Sequence, residues 1–165
     1  MDTKNKIPKI QSKRVIAETK KMMKCSKKGI AFEQVDDNLY KWYVRLSEFD
    51  PDTTIHKQLK KHSIDYILME VTIPKDYPFN SPFVRVVRPR FIGSTGFITT
   101  GGSLCTDILT PEGWSPCLNI INLMVQLKIL IKDALIDEKR KDIVYSLSEA
   151  HAHYNRTTKF HKWGR

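Results

Sequence analysis

The run Gly101-Gly102-Ser103-Leu104-Cys105-Thr106-Asp107 carries the residue best suited to covalent chemistry in this chain. Cys105 follows a pair of glycines, so its backbone can turn tightly and present the side chain. A thiolate is both a good nucleophile and a good leaving group, and Cys105 is read here as a thiol nucleophile. At the ordinary thiol pKa of about 8.5, only several per cent is ionised near neutrality unless the surroundings help. The competing reading is a small buried cysteine packed beside Trp114, the aromatic centre of the next turn. Cys25 and Cys117 are read as structural: one falls in a predicted helix, the other just after Trp114-Ser115-Pro116. No CxxC pair and no Cys/His cluster at ligand spacing occurs, so no metal site is expected.

Several elements must position that cysteine. The stretch 89–103 is aperiodic, interleaving Gly93, Gly96, Gly101 and Gly102 with Ser94, Thr95, Thr99 and Thr100. Irregular chain of that length in a compact domain usually carries function. An apolar helix is predicted over 118–131, with Asn119, Asn122 and Gln126 on one narrow stripe. Upstream, 10–28 reads as a helix with Val15, Ile16, Thr19, Met22 and Met23 on one face and Gly29 as its stop. Its basic stripe, Arg14, Lys21, Lys24 and Lys28, is either a solvated face or a docking surface. Strands are predicted at 31–35, 39–46, 64–73 and 83–87. Short polar links join them, and the polar insert 51–62 reads as an exposed hairpin loop. A last helix is predicted over 141–160, with Ile143, Val144, Leu147, Ala150 and Tyr154 at core spacing. The fold class is therefore α+β: an N-terminal helix, a four-stranded antiparallel meander, a central helix and a C-terminal helix.

Composition narrows the setting. A chain of 165 residues suits one domain, here a basic flexible lead-in, 1–9, and a single core domain, 10–165. A hydrophobic share of 41% excludes a disordered chain. The start lacks the apolar run of a signal segment, and the longest apolar stretch is too short and too interrupted to span a membrane. An odd set of three cysteines without an export signal suits reduced thiols in the cytoplasm or nucleus. The net charge of +10 predicts acidic partners. A nucleic-acid partner is not expected, because no nucleic-acid-binding motif accompanies the charge.

Three motifs in register then resemble the ubiquitin-conjugating enzyme family. Pro74-Lys75-Asp76-Tyr77-Pro78-Phe79-Asn80-Ser81-Pro82 resembles its P-x-x-Y-P element, and Gly102 to Leu109 resembles its active-site segment. Trp114-Ser115-Pro116 before an apolar helix is similar to the next segment of the family. Within the family the likeness runs to the Q-type branch: Phe83-Val84-Arg85-Val86-Val87-Arg88-Pro89, the Gly101-Gly102 pair, and the tail from Ala152 to His161. One departure matters. Most family members carry His-Pro-Asn with the Asn eight positions before the cysteine; here the triplet is Thr95-Gly96-Phe97. The Q-type branch lacks that triplet too.

The resemblance implies a two-step acyl transfer. Cys105 would receive ubiquitin or a ubiquitin-like modifier as a thioester from an activating enzyme, which itself uses the ATP. It would then pass the modifier to a lysine of a substrate protein, usually with a ligase. Gly101 and Gly102 would let the backbone approach the modifier's glycine-rich tail. Lys20, Lys21 and Lys24 would meet the activating enzyme, and Phe79 and Pro116 the ligases. In place of the missing Asn, Thr99, Thr100, Ser103 or backbone amides of 99–103 would support an oxyanion. His161 would orient or deprotonate the incoming amine, because imidazole titrates near neutrality. Asp133, Asp137 and Glu138 are candidates for an acidic wall at the amine's entrance. The alternative is a catalytically weak adaptor of the same fold that binds ubiquitin or a ligase.

Overall fold

Val15, Thr19 and Met22 recur at three- and four-residue steps, and they form the stripe that α1, Lys9–Met23, turns into the core. The computed structural model describes residues 9–162, with side chains from 11 to 157. Of the predicted lead-in, Lys9 opens α1 and 1–8 lie outside the described residues. The helix stops at Met23 rather than at Lys28. The Cys25 amide turns back to the Met22 carbonyl at 3.1 Å, so Cys25 stands half-buried beyond the helix rather than within it. Gly29 is not the helix cap. It makes the turn into the sheet at φ +70, where a Cβ would meet the Ser47 carbonyl oxygen at 2.1 Å. Ile16 and Met23, expected inside, are exposed.

The four predicted strands form as β1 Ile30–Val35, β2 Asn38–Leu46, β3 Ile67–Thr72 and β4 Phe83–Arg88. They pair in sequence order, antiparallel throughout. Asp36 and Asp37 both take positive φ, the geometry that lets a tight hairpin turn follow the twist of β1 and β2. Along β2, Trp42, Val44 and Leu46 point inward and pair with Val71, Met69 and Ile67 of β3. Val84 and Val86 of β4 extend this apolar face. The central helix, α3 (Ile120–Leu130), completes the core with Ile120, Leu123, Met124 and Leu127, all fully buried. Its first turn is capped by the Asn119 side chain, which accepts from the Asn122 amide at 2.8 Å. Each such aliphatic side chain contributes about 1.5–3 kcal/mol by leaving water.

Two further expectations fail. The insert 51–62 is not a hairpin loop: Thr54–Lys61 is a helix, α2, capped by the Thr53 hydroxyl. It buries Ile55 and Leu59 at a four-residue step, a helical signal carried by two residues in a polar background. The last helix, α4, spans Leu147–Lys162. The residues 141–146 before it are a strap held by its backbone. The carbonyls of Ile143, Val144 and Tyr145 accept from the Arg90 and Arg85 side chains at 3.2–3.3 Å. Ile143 and Val144 therefore stay exposed, and only Tyr145 enters the core from that strap.

Helix α1 reaches the rest of the molecule through one buried acid. The Glu18 carboxylate, 1% exposed, accepts from Arg14 Nε at 2.9 Å, from the Tyr77 hydroxyl at 2.9 Å and from the Ile120 amide at 3.2 Å. Burial, then the neighbouring Glu18, drives the Tyr77 phenol far above its usual titration range, so it stays a neutral donor. Replacing Glu18 by Ala leaves a buried hydroxyl and a buried amide without their acceptor. We expect Glu18→Ala to lower the unfolding free energy by about 3 kcal/mol, read as a lower urea midpoint at an unchanged m-value.

Candidate active site

Cys105 lies on a short strand-like segment laid against the outer side of β4. Arg85 opposes Ser103 across an antiparallel bridge, and the Leu104 amide donates to the Val84 carbonyl at 2.9 Å. The paired backbone ends at Val84 and Leu104, and Phe83 and Cys105 are the next residues along on each side. On the other side the Cys105 amide donates to the Phe97 carbonyl at 2.9 Å, and Ile98 bridges Leu104. The backbone of the cysteine is thus pinned from both flanks while its side chain stays half-exposed. Trp114 is the core residue of the pair: it is 7% exposed and its indole donates to the Pro78 carbonyl at 2.7 Å. Burial pushes the Cys105 thiol above its ordinary value, and the Asp107 carboxylate adds to the effect. Among the described residues no cluster of His, Cys, Asp and Glu could hold a metal ion, and no helix is long and apolar enough to cross a membrane.

The glycine pair has a different use from the one expected. Both glycines are buried, and what approaches them is the chain's own C-terminal part. A Cβ on Gly102, at φ +90, would meet the Tyr145 ring at 2.7 Å; one on Gly101 would meet the Glu149 carbonyl oxygen at 2.4 Å. The glycines therefore admit Tyr145 and the first turn of α4. Tyr145 is locked there, accepting from the Phe91 amide at 2.8 Å and donating to the Phe91 carbonyl at 3.2 Å. Arg90 holds Glu149 through both oxygens, at 2.8 and 3.2 Å. Anchored this way, α4 lays His151 and Tyr154 on Phe83. The His151 ring stacks at 4.4 Å, and Tyr154 meets Phe83 edge-on at 5.3 Å.

Residues 14–162 match the family model for the ubiquitin-conjugating enzyme. The chain belongs to the ubiquitin-conjugating enzyme family. Its curated relatives place it in the Q branch. It is 34% identical over 109 residues to the human ubiquitin-conjugating enzyme E2 Q-like protein 1, covering 66% of each chain. It is also 34% identical over 138 residues to human ubiquitin-conjugating enzyme E2 Q1, covering 80% of this chain and 32% of that protein. The chain thus matches just under two thirds of the first relative and about a third of the second. The human ubiquitin-conjugating enzyme E2 G1 shares the fold, with a TM-score of 0.58 at 21% identity over 71% of this chain and 90% of that one.

Within this ubiquitin-conjugating fold the other predicted residues fall in separate places. Lys20, Lys21 and Lys24 are exposed and line a groove of about 560 Å³ with Cys25, Asn119 and Asn122, between α1 and the start of α3. Phe79 is 64% exposed at a loop tip. Pro116 is exposed on the neighbouring turn, which the Trp114–Pro78 bond clips beside that loop. Arg14 further ties α1 to the Pro116 carbonyl at 2.9 Å. Cys117 is exposed, not a core residue as expected, since the turn has already placed Trp114 inward. Ser103 is fully buried with its hydroxyl 2.8 Å from that of Thr99, while Thr100 is exposed with its hydroxyl turned toward Gly93. The His161 backbone continues α4, and its side chain lies outside the described residues. Asp133 is exposed. Asp137 pairs with Arg140 at 2.8 Å and Glu138 with Lys61 of α2 at 3.5 Å, so these two acids make a neutralised groove beside α2.

Sequence reasoning passes over Phe83 as a plain strand residue, and it takes Tyr154 only as core. The available signal is an aromatic and an imidazole, Tyr154 and His151, three residues apart on an otherwise polar helix. The docking of α4 also titrates. Hydrogen bonds from Arg90 hold the Glu149 carboxyl at about 2, against an ordinary 4.5. The folded state therefore binds fewer protons than the unfolded one between those values, and stability falls as pH falls through that window. We expect amide hydrogen exchange across α4 to accelerate, relative to the sheet, as pH drops from about 4.5 toward about 2; Glu149→Gln should exchange faster at neutral pH and lose that dependence.

Proposed function

We propose that this chain carries ubiquitin, or a ubiquitin-like modifier, as a thioester on Cys105 and passes it to a lysine of a substrate protein. The observation that carries the reading is a half-exposed thiol on a hydrogen-bonded backbone, standing at the segment that resembles the family's active-site segment. In loading, the Cys105 thiolate attacks the modifier's terminal carbonyl on the activating enzyme, and that enzyme's own thiolate leaves. ATP is consumed on the activating enzyme, so this chain needs no cofactor. In discharge, a lysine amine attacks the same carbonyl, the C–S bond breaks, and Cys105 leaves as thiolate while the ammonium proton passes to water. Only about one lysine in a thousand is free amine near neutrality, so orientation and desolvation of the amine matter.

In this reading Lys20, Lys21 and Lys24 meet acidic residues of the activating enzyme, and Phe79 with Pro116 forms a ligase contact. His161 orients or deprotonates the amine. Thr100 and Ser103 support the oxyanion, Ser103 through Thr99 because its own hydroxyl is buried. The work would take place in the cytoplasm, the nucleus or both. A second reading, a catalytically weak adaptor of the same fold, draws on the raised Cys105 thiol and on Phe97 standing where most family members carry Asn.

A non-reducing gel separates the two. With activating enzyme, ATP and ubiquitin, we expect an adduct that thiol reductant removes and Cys105→Ala abolishes, while Cys25→Ala and Cys117→Ala retain it. No adduct with ubiquitin or any ubiquitin-like modifier would leave the adaptor. A separate measurement addresses the tail: His161→Ala should slow discharge to free lysine by about tenfold, within the usual range for losing a general base, and more than it slows loading.

A further inference from the structure

We propose that the Tyr154 phenol is the hydroxyl donor that steadies the carbonyl oxygen of a thioester on Cys105, which makes Tyr154 a catalytic residue of this site. The proposal rests on the thioester-carrier reading given above and names the group that serves its transition state. Phe83 and Cys105 are the next residues along from the paired Val84 and Leu104, and continuing that register brings the Phe83 ring to the side of the segment that carries the thiol. Tyr154 packs edge-on against that ring at 5.3 Å, and His151 stacks on it at 4.4 Å and holds it in place. Tyr154 is therefore carried on a fixed platform next to the thiol.

The platform is rigid because Glu149 is gripped by Arg90, Ala150 is fully buried, and Gly101 lets the helix backbone come close. The chemistry of the phenol fits. Burial raises its titration above the ordinary range; negative charge on a free Cys105 thiolate adds to this, but burial acts on the thioester state as well, so the phenol stays protonated and can donate throughout the working pH range. Of the two residues given oxyanion support above, Ser103 is buried against Thr99 and Thr100 turns toward Gly93, so their support is indirect and leaves room for a direct donor; Phe97 presents hydrocarbon. Tyrosine hydroxyls serve as oxyanion donors wherever they are held ready before charge develops.

The step balances simply. As the amine nitrogen bonds to the thioester carbon, the π electrons move onto oxygen, and that oxyanion accepts a hydrogen bond from the Tyr154 hydroxyl. When the intermediate collapses, the C–S bond breaks, the pair leaves on Cys105 Sγ, and the ammonium proton goes to water. Tyr154 lends its hydrogen bond and keeps its proton.

Tyr154→Phe keeps the ring on Phe83 and removes only the hydroxyl. The protein is loaded with ubiquitin to completion, the activating enzyme is quenched, and discharge is timed against increasing free lysine. We expect the limiting rate to fall about tenfold or more, as for loss of an oxyanion donor, with the half-saturating lysine concentration within about twofold. The deficit should be constant between about pH 6.5 and 8.5, because the phenol stays protonated there. Wild-type and variant rates within about twofold would overturn the proposal, as would a deficit that vanishes at high pH, which marks a base. A variant that cannot be loaded would move the hydroxyl from discharge to the reactivity of the thiol, which also overturns it. Absence of any adduct on the wild-type chain would be a different failure, that of the thioester reading itself.

Discussion

A buried carboxylate with three donors holds the two halves of this fold together. Glu18 joins α1 to the Tyr77 loop and to the first turn of α3, three segments that are far apart in the chain. An ionised acid in an apolar interior is tolerable only when its lone pairs are filled, and here an arginine, a phenol and a helix N-terminal amide fill them. The geometry of several outer features follows from that junction. It fixes the loop that presents Phe79, and through Arg14 it fixes the turn that presents Pro116. It also sets the angle at which the lysines at the end of α1 overhang α3.

A second system of buried contacts organises the opposite side. Arg85 pairs with Glu70 on the sheet's outer face at 3.0 Å and reaches the Tyr145 carbonyl, while Arg90 reaches the strap and Glu149. Two arginines thus tie the chain between Ile143 and Glu149 to the strand and turn that lead toward the cysteine. The aromatic platform of Phe83, His151 and Tyr154 depends on this tie, since α4 contributes only Ala150 to the deep core in its first turns.

Much of this is legible in the sequence, and the failures have physical reasons. The meander is readable because alternation along β2 and β3 is strong and aspartates mark the hairpin. The central helix is readable because its apolar character runs nearly all round. Helix α2 is missed because two buried residues, Ile55 and Leu59, are too few to register against lysines and histidines. The start of α4 is misplaced because Ile143 and Val144 look like core residues. In the fold their carbonyls, not their side chains, bind the protein, and no hydrophobic pattern reports a carbonyl. The glycine pair reads as room for a partner, but a sequence cannot say which chain fills the space beside a glycine. Glu18 gives no warning: a lone acid on a basic helix reads as a surface charge. The cysteine is singled out from local composition, while the surroundings given by Phe83 and Tyr154 depend on a strand register and a helix docking that join residues far apart in sequence.

The bridge between Arg85 and Ser103 has a bearing on how anything can reach the thiol. Beyond its role in register, it means that residues 102–104 occupy the outer edge of β4, taking the Val84 carbonyl and the Val86 amide. An extended peptide cannot dock there by adding a strand, because those backbone groups are already paired. Cys105 follows directly on the segment that seals the sheet. On the proposed reading, the acyl donor and the acceptor are therefore both brought to the sulfur by surfaces elsewhere on the molecule rather than by strand addition.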